Sequence, residues 1–146
     1  MIRSLRHFGL VVRDLERALT FYCDVLGLRV VRRMEEAGPF LDTILAKPDV
    51  RVITVKLGAE EGPTLLELLH FEHPDISVSE WPSLFCTGAT HFAITVTDLA
   101  SVYGKLLDAG ASVLAAPKRS PDARAFVCFG RDPEGNLIEF VEELNP

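Results

Sequence analysis

A chain of 146 residues is long enough for one well-formed core, or for two small modules that share one. With 48% hydrophobic and 25% charged residues it falls in the soluble globular range, which excludes disordered and fibrous classes. A formal net charge of -6 with no dense basic run argues against nucleic acid as a partner, because phosphate binding calls for clustered Lys and Arg.

The opening stretch MIRSLRHFGL lacks the long apolar core of a signal peptide, and no segment reaches the apolar length of a membrane span, so the cytoplasm is the expected location. From Leu5 to Val12 the residues read as a β-strand, and Asp14 follows as an N-cap. Leu15, Ala18, Leu19, Tyr22, Val25 and Leu26 fall on one helical face, which ends at Gly27 in a left-handed cap. LRVVRR resumes as a strand. MEEAGPFLDTILAKPDV reads as irregular, with a short helix through Phe40, Ile44 and Leu45 over an open face. RVITVKL and TLLELLHF complete the first half as two strands.

The segment EHPDISVSEWPSLFCTG carries two prolines and many polar residues, so 72–88 is expected to be a connector between module one, 1–71, and module two, 89–146. The second module restarts the pattern. His91 to Val96 form a strand, Asp98 caps a helix with a stripe of Leu99, Val102, Tyr103 and Leu106, and Gly110 closes it. ASVLAA, RAFVCFG and NLIEFVEE are the expected strands after it. Both halves thus read strand, helix, strand, strand, strand, and their openings, RHFGLVVRDL and THFAITVTDL, match closely. The three cysteines, Cys23, Cys86 and Cys128, are odd in number, and no C-x-x-C pair occurs. They are expected to be reduced thiols in or near the core.

The repeat also carries chemistry. Each half opens with a His on its first strand and closes with a Glu inside an apolar strand: His7 and Glu67, then His91 and Glu139. Alternation along a strand puts Phe8, Leu10 and Val12 on one face and His7, Gly9 and Val11 on the other, and the second half repeats this. A carboxylate flanked by Leu65 and Leu69, or by Leu137 and Val141, costs several kcal/mol to bury unless it is paired or bound to a cation. Two imidazoles and two carboxylates that converge on a divalent ion would compensate that cost.

The stretches HFGLVVRDLERALTFYCDVLGLRV, TLLELL, HFAITVTDL and RDPEGNLIEFVEE, in that order, resemble the vicinal oxygen chelate superfamily, which includes glyoxalase I, methylmalonyl-CoA epimerase and the extradiol dioxygenases. The resemblance implies an α+β fold in which two βαβββ modules form an incomplete, cup-shaped barrel around a metal. It implies His7, Glu67, His91 and Glu139 as metal ligands and a small-molecule substrate; the family's modules pair either within one chain or across two, and a homodimer is the expectation here. The full ligand set most resembles glyoxalase I. Extradiol dioxygenases use two His and one carboxylate, and the epimerases commonly carry Gln where this chain has Glu67. The Arg and Asn that lie near glutathione in compact bacterial glyoxalase I fall at Val11 and Phe71 here, so those contacts are not carried over.

A divalent ion in such a site acts as a Lewis acid for a carbonyl and stabilises the enolate or enediolate formed when the adjacent carbon loses a proton. Glu139 is the first choice for the base and Glu67 the second. Mixed imidazole and carboxylate ligands accept Ni, Co, Mn, Fe or Zn. The resulting expectation is a metal-dependent lyase or isomerase of the glyoxalase type. The alternatives are an epimerase-like isomerase, an extradiol-type dioxygenase, and a non-catalytic protein that binds an antibiotic. His70 and His73 have no common rigid ligand geometry across a strand end and Pro74. Lys118, Arg119 and Arg124 read as a solvated loop, and DPEGN reads as a tight turn.

Overall fold

The computed structural model describes residues 3–77, 84–85 and 87–144. The chain divides into two compact units, Met1–Val78 and Ser79–Pro146. Residues 78–83 and 86 of the expected connector, Cys86 among them, lie outside the described residues.

In the first unit β1 (His7–Val11) leads into α1 (Leu15–Leu19), followed by β2 (Arg29–Ala37), α2 (Pro39–Leu45), β3 (Arg51–Gly58) and β4 (Leu65–His73). The sheet order is β1-β4-β3-β2, with β1 parallel to β4 and the other pairs antiparallel. Asp14 caps α1 by accepting from the Arg17 N–H at 2.9 Å. The helix does not continue as α. Residues Thr20–Val25 widen into a π-turn in which the Leu26 N–H donates to the Phe21 carbonyl. That extra residue rotates the buried stripe, so Phe21 joins Leu15, Ala18 and Tyr22 in the core while Val25 and Leu26 stay half-buried. Gly27 ends the segment at φ +81, a conformation only glycine adopts without strain. α1 packs on β4, so Leu10, Val12, Val55 and Leu68 are buried on the helix-facing side of the sheet.

The strand after α1 is longer than its sequence suggests. Met34, Glu35, Glu36 and Ala37, expected to be irregular, pair with β3 through Arg51, and α2 then forms where Phe40, Ile44 and Leu45 led us to expect it. Asp42 holds α2 to the start of β3 by accepting from the Asp49 and Val50 N–H groups.

The second unit repeats the order as β5 (His91–Thr95), α3 (Leu99–Asp108), β6 (Lys118–Arg119), β7 (Ala125–Arg131) and β8 (Leu137–Glu143), in a sheet ordered β5-β8-β7-β6. Asp98 caps α3 by accepting from the Ser101 N–H, and Glu142 of β8 accepts from the Leu99 N–H. α3 rests on β7 and β8 with Leu99 and Leu106 buried. ASVLAA is not a strand. It makes a single bridge, Val113 to Gly130, and the edge strand forms instead at Lys118 and Arg119. The DPEGN segment is the expected turn, held by the buried Asp132, whose Oδ1 accepts from the Glu134 and Asn136 N–H groups. The α+β class with two βαβββ units is therefore the one the chain adopts. Among the described residues no helix is long and apolar enough to cross a membrane.

Candidate metal centre

Strand register brings each His to its Glu. In the parallel β1–β4 pair Gly9 lies opposite Glu67 and His7 lies opposite Leu65, so His7 stands one same-face step from the carboxylate, about 7 Å along the strand. Two long side chains close that gap: His7 Nε2 is 3.1 Å from Glu67 Oε2. In β5–β8 Ala93 lies opposite Glu139, and His91 Nε2 is 3.3 Å from Glu139 Oε2. On the strands that carry the imidazoles, Gly9 and Ala93 lie directly beside the carboxylates, and both are small enough to leave the imidazoles a path.

The four expected ligands thus form two pairs, one in each unit, and among the described residues no group of three or more His, Cys, Asp or Glu side chains clusters. Each pair fits a metal by its own geometry. Donors about 2.1 Å from one ion and at right angles about it are about 3.0 Å apart, close to the spacing within each pair. His91 is oriented further by a 3.0 Å hydrogen bond between its Nδ1 and Thr90 Oγ1, which leaves Nε2 turned to Glu139, the arrangement that fixes ligand imidazoles in metal sites. The ring of Phe129 packs edge-on against His91 with centroids 5.4 Å apart.

The pairs differ in what surrounds them. Lys56, opposite Glu67 in the β3–β4 register, places Nζ 3.4 Å from Glu67 Oε1. The corresponding residue opposite Glu139 is Phe129. Glu67 is thus held at both oxygens and its side chain is 11% exposed, whereas Glu139 has His91 as its ion-pair partner and is 26% exposed. On the face that carries Lys56, the buried Thr54 hydroxyl donates to Glu36 Oε2 at 2.7 Å. Lys56, Thr54, Glu36 and Phe129 were not among the expected site residues. Alternation in RVITVKL puts Lys56 and Thr54 on one face, but nothing in a single sequence gives the register that sets Lys56 against Glu67.

His70 lies on the opposite face of the sheet, its Nδ1 3.2 Å from the Val12 carbonyl oxygen, in an open cleft of about 410 Å³ lined also by Arg13, Glu16, Arg33 and Ile53. Among the described residues it belongs to no group of three or more His, Cys, Asp or Glu that could hold a metal. Lys118, Arg119 and Arg124 are exposed around the loop, and the Arg119 guanidinium donates to the Ala123 carbonyl. Cys23 is half-buried and Cys128 buried, both as free thiols. Burial pushes both thiols up in pKa, and the Asp24 carboxylate adds to the effect at Cys23.

A probable lactoylglutathione lyase from Synechocystis is 28% identical over 142 residues, covering 94% of each chain. A catechol-2,3-dioxygenase from Bacillus subtilis is 29% identical over 143 residues, which are 94% of this chain and 41% of that protein. The crystal structure of a glyoxalase family protein from Bacillus cereus superposes with a TM-score of 0.90 at 22% identity, covering 99% of this chain and 97% of that one, a likeness of fold. The model of the Glyoxalase/Bleomycin resistance protein/Dioxygenase superfamily matches residues 4–140, and the chain belongs to that superfamily.

Proposed function

We propose that the protein is a metal-dependent lyase or isomerase of the glyoxalase type, acting as a cytoplasmic homodimer on a small molecule with an acidic C–H next to a carbonyl. The observation that carries this reading is the duplicated imidazole–carboxylate pair, spaced at 3.1 and 3.3 Å on equivalent strands of the two units. His7, Glu67, His91 and Glu139 would hold one divalent ion, and Ni, Co, Mn, Fe and Zn all suit these donors. When bound, the ion supplies Lewis-acid stabilisation of negative charge on the substrate oxygens.

The residues themselves divide the remaining work. Glu139 takes the proton, because it is the more exposed carboxylate and among the described residues has a single ion-pair partner. Glu67, held by His7 and Lys56, stays in place as a ligand and is the second choice for the base. Val11 and Phe71 stand where glutathione contacts lie in compact bacterial enzymes, so the substrate search should extend from 2-oxoaldehyde thioadducts to acyl-CoA thioesters and catechols.

The test begins with metal analysis of protein purified without chelator or affinity-tag metal. Bound ion should fall strongly in His91→Ala. Glu139→Gln keeps an oxygen donor and removes the base, so turnover should fall by about 10²–10⁴-fold while metal content changes far less. The wild type should also exchange the substrate C–H with solvent deuterium. Turnover that requires oxygen and shows no exchange would replace this reading with the dioxygenase one. Tight binding of a small molecule without turnover would replace it with a binding protein.

A further inference from the structure

The two carboxylates of the repeat are made unequal by one residue, Lys56. It sits opposite Glu67 on β3, its side chain is 19% exposed, and its ammonium lies 3.4 Å from Glu67 Oε1 while His7 lies at Oε2. We propose that Lys56 is a positioning residue that reserves one oxygen of Glu67, so that Glu67 offers a cation a single oxygen and cannot close on it with both. The inference rests on the divalent-ion reading above.

The reasoning is electrostatic and geometric. A carboxylate with both oxygens open can bind a cation bidentately. An ammonium on Oε1 opposes a second positive charge at that atom, and the sheet register prevents Lys56 from moving to another row. Lys56 therefore weakens cation binding while fixing how Glu67 binds. In the second unit the residue opposite Glu139 is Phe129, so no cation stands at that place in the row. A merely structural lysine would have the other sign: its loss would loosen the site and weaken the ion.

Co(II) alone is the probe, titrated into metal-free protein and followed by its visible absorption, which reports coordination number. Lys56→Met should bind Co(II) more tightly than the wild type by about tenfold or more and show an altered spectrum, since a second Glu67 oxygen enters. Lys56→Arg, which keeps a cation beside Oε1, should retain the wild-type affinity and spectrum. Circular dichroism checks folding, and Lys56→Gln serves with the same readouts if the Met variant does not fold. Wild-type affinity and spectrum in the neutral variant, or weaker binding, would overturn the role of Lys56 and leave the metal reading intact. Absence of Co(II) uptake by the wild type would overturn the metal reading, and this inference with it.

Discussion

Replacing Glu67 by Gln should destabilise the metal-free protein far more than replacing Glu139 by Gln. Unit charges 3.4 Å apart, the separation of Lys56 and Glu67, attract by about 5 kcal/mol at an effective dielectric constant of about 20. Desolvation of both groups and the ordering of the lysine stem reduce that gross figure, and the long stem lets the ammonium retreat toward water. A net loss of about 1–3 kcal/mol is expected for Glu67→Gln. Among the described residues Glu139 has an imidazole as its ion-pair partner, with side chains 26% and 33% exposed, so Glu139→Gln should cost below about 1 kcal/mol. In a chain of this size 1 kcal/mol moves the melting midpoint by about 3–4 °C. Thermal melts in EDTA should therefore show a drop of about 3–10 °C for Glu67→Gln and less than about 4 °C for Glu139→Gln. In a Lys56→Met background the cost of Glu67→Gln should shrink, because the ammonium it strands is gone. Equal shifts for the two Gln variants, or strict additivity with Lys56→Met, would refute the reasoning.

Two further outcomes are expected. Because the thiol pKa of Cys23 and Cys128 is raised by burial, with Asp24 adding at Cys23, both stay protonated further above neutrality than a free cysteine. Iodoacetamide at pH 7 should label them about tenfold more slowly in the native than in the denatured protein, as read by intact mass, and fast native labelling of Cys23 would contradict this. Light scattering at micromolar concentration should give the mass of a homodimer, since Val30, Val31, Phe40, Ile44 and Leu45 leave apolar side chains exposed that association would cover. A strictly monomeric mass would reject it.

The strands and helix caps could be read because each rests on local signals. Asp14 and Asp98 accept from the helix N–H groups that sequence order places three residues on, and period-two alternation put His7 and Glu67 on the side away from α1. What escaped depends on hydrogen bonding between distant residues. The π-turn at Thr20–Val25 keeps the helix but inserts one residue per turn, and this is why Phe21 is buried off the stripe of an ideal helix. ASVLAA has strand composition, yet it meets β7 only in the Val113–Gly130 bridge and the ladder forms further on at Lys118 and Arg119, a break set by pairing between distant residues rather than by propensity. Lys56 and Glu36 were missed for the same reason, since register is a property of two strands together.

The twin βαβββ units share strand order and the offset of His from Glu, so the repeat accounts for why an imidazole meets a carboxylate twice. A symmetric arrangement alone would give two interchangeable carboxylates and no reason for either to be the base. The distinction comes from the third strand of each row. Gly9, Glu67 and Lys56 form one row, and Ala93, Glu139 and Phe129 the other. Lysine fixes its carboxylate from the far side, whereas phenylalanine touches the imidazole and, among the described residues, leaves the carboxylate one ion-pair partner. A ligand that must stay and a base that must move need opposite surroundings. In the proposed site the repeat would supply the paired donors, and Lys56, standing where the second unit has Phe129, would give them different tasks.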